Sequence, residues 1–214
     1  VPSCLSGVNA ALSPASLGWN TAAIPPLYSF LDSSNTKAFI VLKNGKIVLE
    51  KYFGTFTRDS NWYWASAGKS MTSLLIGIAQ HDGSLSINDT VSRWLGNGWT
   101  SLPVDQERKI TVRHQLTMTT GLDDGVPDDN CTLPGCLLYK AEPGTRWAYH
   151  TAPYTLLDSV LLFSTGMTVN QFYLNRVRVK TGMNGAYFRS GYNNVLWTTP
   201  RSMARFGLLM LNKG

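Results

Sequence analysis

Ser66 and Lys69 are a pair of residues in this 214-residue chain whose side chains and spacing suit nucleophilic catalysis. They stand three positions apart at the start of a segment with helical periodicity, so both side chains face one side of the helix. A serine hydroxyl becomes a nucleophile when a neighbouring base takes its proton, and a neutral lysine is such a base. The positive end of the helix dipole and burial both disfavour an ammonium ion at this place. The pair therefore predicts a nucleophile with its base, and the Ser66 N–H is a natural donor to an oxyanion.

The Ser-x-x-Lys pattern is weak by itself, because so short a pattern arises by chance and a second copy runs from Ser34 to Lys37. The alternative for Ser66 is an N-cap serine beside a solvated lysine. Gly68-Lys69-Ser70 is similar to the end of a phosphate-binding loop, but Tyr63 stands where that motif needs glycine. The Gly-x-Ser-x-Gly and His-Glu-x-x-His patterns do not occur in the sequence, which argues against an α/β-hydrolase and a zinc protease.

The elements that must position these residues begin with a hairpin. Two β-rich runs, 38–42 and 47–53, flank Asn44-Gly45, and Asn-Gly between such runs is the strongest short hairpin signal. A two-stranded hairpin alone is marginally stable and exposes its edges, so either the helices cover it or further strands are missing from this chain. Helical spacing and end signals predict helices over 66–81, 111–118, 154–164, 169–177 and 200–214.

The composition is that of a folded globular protein. Hydrophobic residues make up 43% of the chain and charged residues 15%, which excludes disorder, coiled coil and collagen. The longest apolar run, 74–79, is far shorter than a bilayer span, so no integral membrane helix is expected. No charged-then-apolar leader opens the chain, and we expect any signal peptide to have been removed.

The net charge of +6 comes from scattered basic residues, with no basic stripe interleaved with aromatic residues. We therefore expect no nucleic-acid partner. An anionic polymer of the cell envelope or a small anionic substrate fits this charge at least as well.

Cys131 and Cys136 enclose a Pro-Gly turn, which can bring the two sulfur atoms into bonding range. A small-loop disulfide would indicate an oxidising compartment, and the alternative is two free thiols in a loop. Cys4 has no obvious partner in the sequence. Because no histidine or third cysteine stands at a zinc-ligand spacing, we expect no metal site.

Five segments occur in the order in which they are found in one protein family. The most specific is Ile-Thr-Val-Arg-His-Gln-Leu-Thr-Met-Thr-Thr-Gly-Leu at 110–122, which is similar to the family's T-I-R-H-L-L-T-H-T-S-G-L. From about residue 37 to residue 214 the chain resembles the serine β-lactamase and penicillin-binding-protein superfamily. It is most similar to the class C β-lactamase branch, which includes related esterases, D-amino peptidases and 6-aminohexanoate-oligomer hydrolases. The other four segments are 64–70, 82–89, 142–149 continued by 154–157, and 202–209.

The resemblance implies an α+β fold, with an antiparallel sheet flanked by helices and an all-helical domain beside it. Residues 1–65 would form the N-terminal part of the sheet domain, and 66–214 the nucleophile helix and the helical domain. The family's third motif, Lys-Thr-Gly or His-x-Gly on a strand, also supplies a second oxyanion N–H. Lys180-Thr181-Gly182 copies it literally, but it follows a helical stretch, so we interpret it as a decoy. We expect the third motif and the C-terminal strands beyond Gly214, in a missing C-terminal segment or a second chain that completes the fold.

The resemblance also implies acyl transfer. Ser66 would attack a carbonyl, Lys69 would accept its proton, and Tyr149 would relay protons to the leaving group and then activate water. Thr151 stands where the family's Tyr-x-Asn motif has asparagine, and it lacks the amide that binds substrate or positions the lysine. Two literal copies of the motif fit the family's order less well: Tyr173-Leu174-Asn175 in a predicted helix and Tyr192-Asn193-Asn194 in a predicted loop.

We therefore expect a serine hydrolase that cleaves a small ester, amide or β-lactam through an acyl-serine, with no cofactor. Thr151 and the surrounding tryptophans favour an esterase or small-amide hydrolase over an efficient β-lactamase. Four tryptophans lie near matched motifs and could line an acyl or aryl pocket, with core packing as the alternative: Trp62, Trp64, Trp147 and Trp197. Of these we assign Trp64 and Trp197 to substrate binding. Other possible functions are a module that binds peptidoglycan or a β-lactam without turnover, and a D-alanyl-peptide carboxypeptidase. The cysteine pair favours a secreted or periplasmic location.

Overall fold

The computed structural model describes residues 11–214, so Cys4 lies outside the described residues. Helices are mixed with small antiparallel sheets, which confirms the predicted α+β fold class. The strands are β1 (Ala38–Lys43), β2 (Lys46–Tyr52), β3 (Trp62–Tyr63), β4 (Ala186–Ser190) and β5 (Asn193–Thr198). The α-helices are α1 (Ile24–Ser33), α2 (Gly68–His81), α3 (Ser92–Leu95), α4 (Val104–Glu107), α5 (Val112–Leu116), α6 (Thr151–Thr155), α7 (Leu157–Thr165), α8 (Val169–Tyr173), α9 (Val179–Thr181) and α10 (Pro200–Leu211).

The predicted hairpin is confirmed. β1 pairs antiparallel with β2, and the pairing runs down to Lys43 opposite Lys46. Asn44 and Gly45 in the turn adopt positive φ, at 51° and 75°. Positive φ at both central residues is what a two-residue type I′ turn requires, and Asn-Gly meets this requirement at little cost.

A second sheet, with strand order β3-β5-β4, adds three strands that the sequence did not predict. β3 pairs antiparallel with β5 through Trp62 opposite Thr198 and Tyr63 opposite Trp197. The loop predicted at Tyr192-Asn193-Asn194 is wrong in part, because β5 begins at Asn193. β4 and β5 are joined by Gly191 and Tyr192, whereas β3 finds its partner more than 130 residues away, so no local pattern predicts that pairing.

The predicted helices are present with shifted ends. A 3₁₀ turn, Ala65–Ala67, precedes α2, and Thr111 caps α5 in a reciprocal capping box with His114. The helix predicted over 154–164 is divided into α6 and α7, and it ends at Gly166 with left-handed φ of 70°. The helix predicted over 169–177 continues from α8 into a π-helical turn, Leu174–Arg178.

The chain divides into two compact units. The first takes the described residues up to Tyr63 together with 177–186 and 197–214, and the second takes 64–176 and 187–196. The division expected from the sequence, 1–65 and 66–214 with more of the sheet domain beyond, stays a prediction.

In the first unit, α10 packs against the hairpin. Ile47 of β2 and Leu208 of α10 are buried together, and two apolar residues of β1 pack against them. Arg201 of α10 donates from Nε and Nη2 to the two carboxylate oxygens of Glu50, both at 2.7 Å. The helix therefore shields apolar side chains of the hairpin that water would otherwise reach.

In the second unit, α2 packs against α7. Met71, Leu75 and Ile76 of α2 are fully buried, as is Leu157 of α7. Their recurrence every three or four positions is the periodicity that predicted the helix. This packing fixes the axis of the helix whose first turn carries Lys69. Within residues 11–214, no helix is both long enough and apolar enough to cross a membrane.

Candidate active site

Ser66 lies in a strained turn at the start of α2. Ala65, just before it, has φ of +45°, a left-handed conformation that costs a residue with a Cβ about 1–3 kcal/mol. The Trp64 N–H donates to the carbonyl of Leu196 at 2.8 Å, which ties the turn to β5. Strain of this kind persists where the surrounding structure holds it, and it clusters at functional sites.

Lys69 follows one helical turn after Ser66, as its spacing predicts. Its Nζ donates to Ser66 Oγ at 3.4 Å. The same Nζ lies 5.1 Å from the ring centroid of Tyr149 and 5.8 Å from that of Tyr154. Aromatic faces attract a cation at these distances, so the two rings hold the ammonium group beside the serine hydroxyl.

Tyr149 completes this arrangement. Burial alone would raise the pKa of its phenol, but hydrogen bonding with Ser66 and Lys69, together with the Lys69 charge, outweighs burial and leaves the pKa lowered. The side chain is also exposed to solvent. A phenol with a lowered pKa in contact with a serine hydroxyl can accept and return a proton.

The segment that carries Tyr149 is fixed by backbone contacts. The Ala148 N–H donates to the carbonyl of Met118 at 3.1 Å, and the Gly144 N–H to the carbonyl of Thr119 at 2.8 Å. Gly121, at φ of 78°, lies so close to this segment that a Cβ there would be 2.1 Å from the carbonyl oxygen of Ala141. Only glycine fits this approach, which explains the Thr-Gly-Leu end of the most specific sequence match.

Tyr154 is a site residue to which sequence reasoning gave no role, although it lies in a matched segment. Its hydroxyl donates to the backbone carbonyl of Lys69 at 2.7 Å, and the side chain is 6% exposed. Burial raises its pKa to about 12. Tyr154 is therefore a protonated donor that ties α6 to the first turn of α2.

These side chains converge on a cleft of about 390 Å³. Ser66, Lys69, Tyr149 and Tyr154 line it, together with residues that include Met118 and Trp147. Every residue that lines it belongs to the second compact unit.

Trp64 and Trp197, the tryptophans predicted to bind substrate, are not among the residues that line this cleft, and their role in substrate binding stays a prediction. Trp64 is only 8% exposed, because it packs inside the second unit. Trp197 belongs to the first unit, where its ring centroid lies 5.5 Å from that of Tyr63. Among the four tryptophans that the sequence offers for an acyl or aryl pocket, Trp147 lines this cleft.

Thr151 and the motif copies have defined places. Thr151 is the first residue of α6 and is not among the residues that line the cleft. Lys180-Thr181-Gly182 ends α9, with Gly182 in the left-handed cap, which agrees with its interpretation as a decoy. Tyr173 is fully buried in α8, in agreement with the packing role predicted from its helix.

The two cysteines are close enough to bond. Their Sγ atoms lie 2.07 Å apart. The loop before the cysteines contacts α6, since the Ala152 N–H donates to the carbonyl of Asp129 at 3.0 Å. Among residues 11–214, no group of three or more His, Cys, Asp or Glu side chains is arranged to hold a metal ion.

Comparison with known families assigns the class. The Beta-lactamase family model matches residues 35–214, and the chain belongs to that family. Its members have the β-lactamase hydrolase fold, and the predicted resemblance is confirmed.

Individual relatives are distant. An uncharacterised protein of Alkalihalophilus pseudofirmus is 28% identical over 148 residues, covering 65% of this chain and 40% of the relative. The crystal structure of a penicillin binding protein from Bacillus halodurans superposes with a TM-score of 0.70 at 18% identity, covering 87% of this chain and 74% of that one. A β-lactamase/D-alanine carboxypeptidase from Yersinia pestis gives 0.61 at 17% identity, covering 74% and 58%. These structures share the fold, and the chain spans less than half the length of the curated relatives it matches.

Proposed function

We propose that this chain carries the nucleophile and proton-transfer groups of a serine hydrolase that cleaves a small ester or amide through an acyl-serine intermediate. The observation that carries the proposal is the convergence of Ser66, Lys69 and Tyr149 on one cleft. Membership of the Beta-lactamase family supports the same chemistry. The chain spans less than half the length of its curated relatives, and we propose this activity for the whole protein.

In the first step, Ser66 Oγ attacks the substrate carbonyl carbon and its proton passes to the Lys69–Tyr149 pair. The Tyr149 hydroxyl lies in hydrogen-bonding contact with Ser66 and Lys69, and its pKa is lowered although burial alone would raise it, which supports Tyr149 as a proton-transfer group of this pair. Groups this close share protons as a unit, so the pair is the base. The Ser66 N–H donates to the developing oxyanion.

In the second step, the bond from the carbonyl carbon to the leaving oxygen or nitrogen breaks, and Tyr149 returns the proton to that atom. The acyl group stays on Ser66. A water molecule then loses a proton to the same pair and attacks the acyl carbon. The bond from that carbon to Ser66 Oγ breaks and the pair returns a proton to Oγ, which releases the acid and restores the serine hydroxyl. Tyr154 acts through Lys69, whose backbone it fixes.

The substrate class is proposed from the family motif. Thr151 stands where the motif has asparagine, so the side-chain amide that would bind the amide of a peptide or β-lactam is absent from this position, and an ester or simple amide is favoured over a β-lactam. Sulfur atoms at bonding distance in Cys131 and Cys136 support a secreted or periplasmic location, where a disulfide persists.

Labelling with a fluorophosphonate tests the assignment, because this reagent modifies an activated serine. In the full-length protein the label should map to Ser66 and disappear in Ser66→Ala. Ser34→Ala is the matched control, since Ser34 starts the other Ser-x-x-Lys copy and its hydroxyl donates instead to the Phe30 carbonyl at 2.8 Å. Label elsewhere, or none, would refute the proposal. Label at Ser66 without turnover of any ester or amide would favour the binding-module alternative.

A further inference from the structure

The cleft has two chemically different sides. Three serine hydroxyls, of Ser66, Ser70 and Ser73, line the side formed by α2 and the turn before it. The lining residues outside α2 and the turn before it include three apolar ones, which we call the apolar side: Leu116, Met118 and Trp147. Thr117 and the two tyrosines complete that lining. A substrate that fills the cleft therefore meets apolar side chains as well as the serine hydroxyls.

Trp147 is the largest part of that apolar side, and 65% of its surface is exposed. Neighbouring Ala148 is nearly buried and held by its hydrogen bond to the Met118 carbonyl at 3.1 Å. Trp147 and Tyr149 flank this anchored residue, and both line the cleft. The indole is thus kept in water by a fixed backbone, one residue away from the proton-transfer tyrosine.

Met118 gives an independent indication. Its φ is +55°, a strained conformation for a residue with a side chain, and its own side chain lines the cleft. Ala65, the residue before the cleft-lining Ser66, also has positive φ, at 45°. Backbone strain at Met118 and next to Ser66 indicates that the positions of these two lining residues are functionally constrained.

We propose that Trp147, with Met118 and Leu116, is a binding site for an apolar group of the substrate, preferably an aromatic ring, attached next to the carbonyl that Ser66 attacks. The inference rests on the proposed function, since it needs a reactive Ser66. An indole face and a thioether bind aromatic rings favourably, and a cleft of about 390 Å³ is large enough for a small substrate.

Phenylboronic and methylboronic acid separate this inference from the proposed function. Each forms a bond from boron to the Ser66 oxygen, whose proton goes to the Lys69–Tyr149 pair, and each carries a single organic group. We expect the full-length protein to bind phenylboronic acid more tightly. Trp147→Ala should raise the Kd of phenylboronic acid about tenfold and change that of methylboronic acid less than about twofold. Trp147→Phe should keep most of the difference.

Phe163→Ala is the matched control, because Phe163 is also an aromatic residue of the second unit, is 61% exposed, and does not line the cleft. It should leave both Kd values unchanged. If Trp147→Ala weakens both acids equally, or neither, the apolar binding site is refuted while the proposed function stands. If the unmodified protein binds neither acid, the proposed function itself fails. Thermal melting of each variant checks that the fold is retained.

Discussion

Replacing Gly121 by alanine should destabilise the protein through a contact that cannot relax. The added Cβ would lie 2.1 Å from the carbonyl oxygen of Ala141 and 2.9 Å from its carbonyl carbon. Both atoms are backbone, and the N–H groups of Lys140 and Ala141 donate back to the Gly121 carbonyl at 3.0 and 2.9 Å. The clash therefore displaces the segment that leads to Tyr149 instead of a flexible side chain.

Two costs add. A left-handed φ of 78° costs a non-glycine residue about 1–2 kcal/mol, and a forced overlap in a packed region costs about 1–3 kcal/mol. Alanine recovers about 0.4–1 kcal/mol by restricting the unfolded chain. We expect a net loss of about 3 kcal/mol for Gly121→Ala, or roughly 6–12 °C in melting temperature for a chain of this size.

Gly77→Ala is the control with the opposite sign. Gly77 lies inside α2, and a Cβ there would have no heavy atom within 4 Å. Because alanine forms helices better than glycine, the variant should be more stable by about 0.5–1 kcal/mol. Differential scanning calorimetry of the full-length protein measures both variants. Equal melting temperatures for Gly121→Ala and the unmodified protein would refute the close approach described here.

Three further predictions concern proton equilibria. Tyr149→Phe keeps the ring and loses the hydroxyl, so ester turnover should fall at least about 10²-fold. The rise of kcat/KM with pH, which reports ionisation of a phenol of lowered pKa, should vanish in this variant. An unchanged pH–rate profile would contradict the role given to Tyr149. Hydrogen bonding from Arg201 lowers the pKa of Glu50 below 4.5, so the ionised carboxylate stabilises the fold fully above pH 4.5, and this contribution is lost as the pH falls through the pKa of the folded state. Glu50→Gln should therefore lower the melting temperature at pH 7. The difference in melting temperature from the unmodified protein should shrink in acid. Burial raises the pKa of Asp158 from 3.8 to about 6 despite a hydrogen bond from Asn194, so this carboxyl destabilises the fold as the pH rises through that range. Asp158→Asn should be more stable than the unmodified protein by at most about 3 kcal/mol above pH 6, and the two should be equally stable near pH 3. A stability difference independent of pH would count against the burial of this carboxyl.

Local signals explain how much of the fold was predictable. Asn44-Gly45 predicted the hairpin because its turn needs two residues that tolerate positive φ, and both adopt it. The spacing of Met71 and Leu75 predicted α2, because a helix with one buried face must repeat its apolar residues at that interval. β3 was missed because its pairing is not local: Tyr63 pairs with Trp197. β4 and β5 are neighbouring strands joined by Gly191 and Tyr192, and they were missed because this turn is not one of the strong Asn-Gly or Asp-Gly hairpin signals.

The candidate site was predictable in part for the same reason. The spacing of Ser66 and Lys69 is local, so their approach followed from the helix, while the nearness of Tyr149 was inferred only through the family resemblance. Burial depends on tertiary packing, which motif distance does not report. Sequence position therefore did not separate the buried Trp64 from the exposed Trp147, which lines the cleft.

Peptide mapping of the trapped intermediate tests the central claim most directly. The full-length protein is mixed with an ester substrate, quenched in acid during turnover, digested and examined by mass spectrometry. We expect the acyl group on the peptide that contains Ser66, and we expect Ser66→Ala to lose both the acyl group and turnover. Continued turnover by Ser66→Ala, or an acyl group on another residue, would show that Ser66 is not the nucleophile.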